Sequence, residues 1–592
     1  MARVAPAPGQ APLPAADAAA LLRRNGRDPT TAVRTAIRFD DDVWTHGDLL
    51  TEAQRWARLL RAHQPSADEA ERGPARGTHV GVLLDNTPNY LFALAGAALA
   101  GAVVVGLNPT RVGEHLLRDL VHTDVDLIVT EPGHLDDLAG LDLGARPVLV
   151  SHRFEGDDRG HRRHGDADLE AVLATGGSDD PGGGGGDGPG PDTTWALVFT
   201  SGTSGAPKAV ICSQRRLMVT GSRMASIMGL GPDDVGYVAM PLFHSNALMV
   251  GWAPALVLGA SVGLARRFSV SGFLPDVRRY GATWFSYTGK PLSYLLASPE
   301  RNDDADNPLR VAFGNEGSPR VISEFGRRFG LEVIDAFGST EGAIAVDRSA
   351  PTRPGAVGRA GEHLRIVGDL GEECSTADLD AEGRLLNAAE AVGEIVSTGG
   401  RGPFEGYYNN PAATERATRQ GWYWSGDLGY LDADRYLYFA GRTAEWIRVD
   451  GENFPAGPIA EAVAGHPDVV VAVAYGVPDA EAGDQVMAAL VLRPGCAFDP
   501  DGFAGWLDNE AGIGPKWRPR YVRVADELPS TGTNKVITRT LAAERFRLDR
   551  VGDDEVWVRE RGDDAYRRFG SDDEADLRRA FAAAGRDRFW DL

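Results

Sequence analysis

The chain has 592 residues, 43% hydrophobic and 24% charged, which is an ordinary globular composition but too long for one core, so two or three domains are expected. Its formal charge of −23 argues against nucleic-acid binding, which needs a concentrated basic surface that this sequence lacks. Cys212, Cys374 and Cys496 are too scattered for a disulfide framework or a zinc site and suit a reducing cytoplasm.

No apolar h-region follows Met1, and residues 1–16 are expected to be disordered. Asp17 is a predicted N-cap, with Leu21 and Leu22 as the first large apolar residues of its helix. A strand pattern runs from Ile37 to Trp44. Thr45-His46-Gly47-Asp48 then starts a helix that carries Leu49, Leu50, Trp56, Leu59 and Leu60 at helical spacing. From Gly77, predicted strands at 80–84, 103–105 and 127–129 alternate with helices starting at Thr87 and Gly113, the pattern of parallel sheets covered by helices. The best candidate for a membrane span, residues 91–105, is short and rich in Ala and Gly, and reads as a buried helix running into a strand. Residues 152–194 break the rhythm. Their glycines at 182–186, with Pro189, Gly190 and Pro191, read as flexible linker, because a dinucleotide loop would need a strand before it and a helix after it.

The apolar run Trp195-Ala196-Leu197-Val198-Phe199 then hands over to Thr200-Ser201-Gly202-Thr203-Ser204-Gly205-Ala206-Pro207-Lys208. Two glycines let the backbone turn its N–H groups toward an anion, four hydroxyls add donors, and a lysine supplies a mobile charge, which together equip the stretch to hold a polyphosphate. It is not a Walker A loop, since Pro207 precedes the lysine and no Gly-Lys-Ser/Thr follows. Further strands end at Pro241-Leu242-Phe243-His244, Gly289-Lys290, Gly314-Asn315-Glu316-Gly317 and Phe337-Gly338-Ser339-Thr340-Glu341-Gly342. In α/β sheets ligands bind at such carboxyl ends. Beyond Pro351 the chain becomes β-rich, with a hairpin expected to set Leu428 and Tyr430 against Tyr436 and Tyr438. After Gly441-Arg442 a small α+β domain is expected, closing with a capped helix from Ser571 that aligns Leu577 and Phe581.

Only four of the 61 basic residues are lysines: Lys208, Lys290, Lys516 and Lys535. A chain that uses arginine for its generic positive charge marks its lysines as candidate functional residues, although GC-rich codon bias explains the depletion itself.

The Thr200 to Lys208 and Phe337 to Gly342 stretches, Gly421-Trp422-Tyr423-Trp424-Ser425-Gly426-Asp427, Gly441-Arg442, Gly451-Glu452-Asn453 and Thr531-Gly532-Thr533-Asn534-Lys535 stand in the order and spacing of the adenylate-forming superfamily. The chain resembles that superfamily over roughly residues 37–545. Ala312-Phe313-Gly314-Asn315, Tyr287-Thr288-Gly289 and the tail past 545 look most like the very-long-chain acyl-CoA synthetase and fatty acid transport protein branch. The resemblance implies an α/β fold: a large domain over 17–442, made of helix-covered sheets and a β-rich subdomain, and a small mobile C-terminal α+β domain over 443–592.

It also implies a chemistry, with ATP, coenzyme A, Mg²⁺ and a carboxylic acid as partners. A carboxylate attacks the α-phosphate of ATP, and a thiol then attacks the resulting acyl-AMP, so cations and donors should be aimed at the phosphates. By resemblance, Lys535 bridges carboxylate and α-phosphate, Thr340 donates to that phosphate, and Glu341 is the metal ligand. Thr200, Ser201, Gly202, Thr203, Ser204, Gly205 and Lys208 would hold the phosphates, while Phe337 and Gly338, facing Gly314, Asn315 and Glu316, would enclose adenine. Asp427 would accept from the ribose, supported by Arg442, and His244 would lie between the acyl pocket and the nucleotide. Plainer roles stay open: a helix cap for Thr340 and Glu341, a surface ion pair for Arg442, core packing for Phe337 and a structural His244. Lys290 and Lys516 have no assigned role. Ala444 stands at the hinge position. Ala247, Leu248, Met249, Val250, Trp284 and Phe285 form an expected pocket wall without a partner for a charged tail, which points to an apolar acid, fatty or sterol-derived. The alternatives are an acyl-AMP ligase loading a carrier protein and a non-catalytic lipid-binding or transport protein. The sequence is compatible with a homodimer.

Overall fold

The computed structural model describes residues 15–64, 77–154, 167–175, 189–200, 208–288, 290–315, 317, 319–344, 346–347, 353, 355–368, 371–380, 385–442, 446–449, 452–480, 484–509, 511, 513–531, 535–560, 562–587 and 590. Most of the expected N-terminal tail, the 182–186 glycines, the Gly289 turn and the Ala444 hinge position lie outside them.

Two seven-stranded sheets carry the large domain. The first runs Ala167–Asp168, Val148–Val150, Leu127–Thr130, His79–Leu83, Val103–Gly106, Thr194–Phe199, Ala209–Ser213. Only the last pair is antiparallel. The second runs Glu332–Asp335, Val311–Asn315, Trp284–Thr288, Val235–Val238, Ser261–Leu264, Thr35–Phe39, Asp42–Thr45, again with one antiparallel pair at an edge. A third, antiparallel sheet contains Tyr423–Leu431 and Tyr436–Arg442.

Local sequence explains how these pieces meet. Asp17 accepts from the Ala20 amide at 2.7 Å, and Thr45 forms a reciprocal capping box with Asp48, so both predicted helix starts are present. In the helix Pro88–Ala100 every residue but the last is buried, and the chain turns at Gly101 into the strand Val103–Gly106, as the sequence indicates. This helix crosses His46–Ala62 at Gly96, where an added Cβ would sit 2.3 Å from that of Trp56. Only a residue without a side chain allows so close an approach.

Three expectations are corrected. Within the stretch read as linker, Ala167–Asp168 joins the first sheet and Leu169–Ala174 is a helix capped by Asp168. Leu169 and Leu173, one turn apart, bury its inner face, a signal masked by the surrounding glycines. In the hairpin, Tyr430 does face Tyr438, with the rings stacked at 4.9 Å, but Leu428 lies opposite Gly441 because a bulge follows it. The final helix, Ser571–Ala583, is capped by the Gly570 amide donating to Asp573, and it buries Phe581.

From Trp446 the chain builds separate sheets and two cores of its own, one around Ile447, Phe454, Ile459 and Phe503, the other around Tyr475, Met487, Tyr521 and Phe546. The segment past 545 belongs to the second core through Phe569, Phe581 and Trp590. Among the described residues no helix is long and apolar enough to cross a membrane.

Candidate active site

The antiparallel edge of the first sheet ends in the loop between Phe199 and Ala209, which are register partners. The Thr200 amide donates to the Lys208 carbonyl at 3.0 Å and closes the loop's base. Ser201, Gly202, Thr203, Ser204 and Gly205 lie outside the described residues. Lys208 Nζ stands 5.7 Å from the centre of the Tyr407 ring, within cation–π range.

Tyr407 leads directly to the Thr340–Glu341 pair. Its hydroxyl donates to Glu341 Oε1 at 2.7 Å, and both residues are under 10% exposed, Tyr407 at 8% and Glu341 at 9%. Thr340 Oγ1 meets Ser245 Oγ at 3.1 Å, while the Thr340 carbonyl accepts from the buried guanidinium of Arg216. A second Arg216 arm donates to the Ile211 carbonyl at 3.1 Å, and Ser213, which caps the helix bearing Arg216, is held by Glu405. Arg216 therefore ties the Thr340 turn to the strand that follows Lys208. Tyr423 hydrogen-bonds Ser339, and its burial, reinforced by the Glu341 carboxylate, raises its phenol pKa.

The carboxyl ends of the second sheet form the neighbouring wall. Gly314 lies so close to Tyr287 that an added Cβ would fall 2.3 Å from its carbonyl. The Tyr287 hydroxyl and the Gly317 amide both donate to Asp335 Oδ2, at 2.8 and 2.9 Å. Asn315 Oδ1 is buried and finds no partner among the described residues. Glu316 lies outside them. Phe337 is half-buried, 5.7 Å from the ring of Phe439, which is 41% exposed. Space beside Gly338 is open. Asp427 is buried and pairs in register with Arg442, whose side chain is not among the described groups.

His244 is half-buried where the chain enters a π-helix, Asn246–Trp252, an uncommon geometry often associated with function. The Asn246 amide donates to His244 Nδ1 at 3.4 Å and the Asn246 side chain to the Tyr287 carbonyl at 3.1 Å. Ala247, Leu248, Met249 and Trp284 are buried in one large apolar core, with Val250 partly buried against it. Phe285 is not among them: it packs on Phe273 and Phe325 on the other side of its strand, because successive side chains alternate faces. The residue that shares the Trp284 face of the strand is Ser286, 2% exposed, whose hydroxyl has no partner among the described residues and lies across from Gly251.

Lys535 sits in the C-terminal part of the chain, in a turn closed by the Thr531 amide donating to the Lys535 carbonyl at 2.7 Å. It is thus carried on a different core from the other candidates. Sequence reasoning missed Tyr407, Arg216 and Ser245. The available signal for Tyr407 was the Phe404-Glu405-Gly406-Tyr407-Tyr408 run, where Gly406 adopts φ +109°.

Two groups have ligand-like chemistry. Glu341, with Thr340 and Ser245 beside it, is an all-oxygen set that suits a hard cation, and Tyr407 occupies one carboxylate oxygen. Asp85, Glu131 and His134 also converge, but Arg266 bonds both carboxylates, at 3.2 and 3.0 Å, so this cluster reads as an ion-pair knot.

The AMP-binding enzyme family model matches residues 26–408, and the model of the AMP-binding enzyme C-terminal domain matches residues 459–535. The chain is 46% identical over 562 residues to the steroid-22-oyl-CoA synthetase of Rhodococcus jostii, covering 94% of this chain and 96% of the relative. It is 47% identical over 513 residues to the medium/long-chain-fatty-acid–CoA ligase FadD17 of Mycobacterium tuberculosis, covering 86% and 93%. In fold it matches the anthranilate CoA ligase AuaEII in complex with anthranoyl-AMP, with TM-score 0.73 at 20% identity over 89% of this chain and 97% of that one. ATP-bound MatB from Rhodopseudomonas palustris gives 0.72 at 23% identity, over 89% and 98%. The chain therefore belongs to the AMP-binding, adenylate-forming enzymes and, within them, to the acyl-CoA synthetases.

Proposed function

We propose that this acyl-CoA synthetase activates an apolar monocarboxylic acid, of fatty or sterol side-chain type, in a Mg²⁺-dependent reaction in the cytoplasm. The observation that carries the substrate class is the apolar cluster of Ala247, Leu248, Met249 and Trp284, buried together beside His244 in the expected pocket region. The steroid and fatty-acid specificities named for the two relatives support the same reading. Three free cysteines fit the compartment.

In the first half-reaction a carboxylate oxygen of the acid attacks the α-phosphorus of ATP, and the bond to the β-phosphate breaks with loss of pyrophosphate. Lys208 and the Thr200 loop hold the phosphates, Thr340 donates to the α-phosphate, and Lys535, brought in by rotation of the small domain, neutralises charge that builds up between the two anions. Glu341 would hold Mg²⁺, which supplies charge neutralisation for the phosphates when bound. Phe337 stacks on adenine, Asn315 Oδ1 accepts from an amine of the base, and Asp427 accepts from the ribose with Arg442 beside it; the Asn315 oxygen, without a partner among the described residues, and the buried Asp427 support these roles. His244 closes the acyl pocket toward the nucleotide. In the second half-reaction the CoA thiol attacks the acyl carbon, AMP leaves, and the thiol proton passes to solvent.

Pyrophosphate release and thioester formation, measured with short, long-chain and steroid acids with and without CoA, test this. Long-chain or steroid acids are expected to be turned over fastest. Preference for short charged acids would overturn the substrate class, and adenylate without thioester would overturn the second half-reaction.

A further inference from the structure

Tyr407 occupies a position that the reaction outlined above does not use. Its backbone runs along the free edge of the strand Ala209–Ser213, with the Ile211 amide donating to the Gly406 carbonyl at 3.0 Å and the Tyr408 amide to the Ala209 carbonyl at 2.8 Å. The residue is therefore fastened to the strand that begins one residue after Lys208. Thr414 Oγ1 accepts from the Tyr407 amide at 3.0 Å, and Phe404 packs edge-on to the phenol at 4.9 Å. His122 and Asn409 fix the same strap from outside: His122 Nε2 lies 2.9 Å from the Tyr408 carbonyl, and the Asn409 amide group donates to the His122 carbonyl at 2.9 Å. These bonds fix the backbone from which the ring projects, and Phe404 packs against the ring itself.

From this anchored place the ring serves two partners of opposite charge. Its hydroxyl donates to Glu341 Oε1 at 2.7 Å, and its π face lies 5.7 Å from Lys208 Nζ. The hydroxyl fixes the rotation of the carboxylate and leaves the other oxygen to turn elsewhere. The ring face attracts the ammonium without consuming any of its three N–H donors, so all three remain available to phosphate. We infer that Tyr407 is a positioning residue that sets the separation and orientation of Lys208 and Glu341, and so aligns the phosphate-holding cation with the metal-holding carboxylate. The inference rests on the roles given to those two residues under the proposed function. Groups one step removed from a metal ligand typically change affinity or activity about 10–100-fold when they are lost.

The test uses the full-length protein and four forms: wild type, Tyr407→Phe, Glu341→Gln and the double variant. Mn²⁺·ATP affinity is followed by EPR of the bound manganese, alongside kcat and KM for ATP and the melting temperature. Tyr407→Phe keeps the ring and removes only the donor. It is expected to weaken Mn²⁺·ATP binding about tenfold and to lower kcat, with a small change in melting temperature. In Glu341→Gln the donor has lost its charged acceptor, so adding Tyr407→Phe to it is expected to change Mn²⁺·ATP affinity less than twofold. A fully additive cycle would overturn the inference even if both single variants were destabilised. So would a Tyr407→Phe protein that binds Mn²⁺·ATP like wild type while Glu341→Gln does not. If Glu341→Gln itself binds and turns over like wild type, the assignment of Glu341 fails, and the positioning role falls with it.

Discussion

The two seven-stranded sheets share a plan, parallel strands closed at one edge by an antiparallel pair, and they put that edge to opposite uses. In the second sheet Thr35–Phe39 turns into Asp42–Thr45 through Asp40 and Asp41 alone, with Asp40 at φ +49°. Its outer strand is open enough to leave Val43 52% exposed. In the first sheet Thr194–Phe199 returns as Ala209–Ser213 only after the loop that ends in Lys208, and the outer strand is covered by the strap carrying Tyr407. A short turn needs nothing more than a residue that tolerates a left-handed backbone. A long polar loop needs anchors at its base, and the Thr200–Lys208 bond and the covering strap supply them.

If that contrast is right, changes around the long loop should damage turnover and spare stability, and changes around the short turn should shift stability and spare turnover. The largest effect is expected from Lys535→Ala, which should lower adenylate formation about 10²–10³-fold at an unchanged melting temperature, the scale for losing one charge-stabilising donor. Pyrophosphate release close to the wild-type rate would end its catalytic assignment.

A purely structural group beneath the first sheet should behave differently. Asp119 is buried in the helix Glu114–His122, 2.8 Å from Arg111, and its burial pushes its carboxyl up to about 6, although Arg111 opposes the shift. The folded form holds this proton to higher pH than the unfolded chain does, so the stabilisation is full below pH 3.8 and is lost as pH rises through about 6. Relative to Asp119→Asn, the wild type should lose about 3 kcal/mol across that window. Denaturant titrations at several pH values measure the difference, and parallel curves for the two proteins would refute it.

Lys208→Ala is expected to raise KM for ATP about tenfold, the scale of one charge-assisted hydrogen bond, with little change in thermal stability. Should the melting temperature fall instead while KM holds, Lys208 is packing rather than binding. The smallest effect belongs to the short turn: Asp40→Gly relieves the positive φ and should stabilise the protein by less than about 1 kcal/mol, leaving kcat and KM for ATP untouched. Altered kinetics in that variant would blur the distinction between the edges.

Much of the site was legible in one dimension because its chemistry sits on short contiguous stretches at strand ends. Thr200, Lys208, Thr340, Glu341 and Lys535 were singled out from neighbours that make loops, and Asp427 from the aromatic strand that carries it. Phe285 could not be read in this way, since a run of aromatic residues says nothing about which of them faces the slot until the strand's pairing is known. The helix Leu169–Ala174 was hidden because composition was averaged over a window dominated by glycine, while its two leucines alone were enough to bury one turn.

The sequence by itself determined the alternation of strands and helices, the placement of Thr200, Lys208, Thr340 and Glu341 at strand ends, and the separation of Lys535 from the rest, because these depend on local propensity and spacing. Only the tertiary structure decided that Tyr407 stands between Lys208 and Glu341, that Arg216 ties the Thr340 turn to the strand after Lys208, and that Ser286 rather than Phe285 shares a face with Trp284. The Tyr407–Glu341, Arg216–Thr340 and Lys208–Tyr407 contacts join residues 66, 124 and 199 positions apart in the chain. They are set by sheet pairing and by the direction of side chains across it, which no stretch of sequence encodes alone.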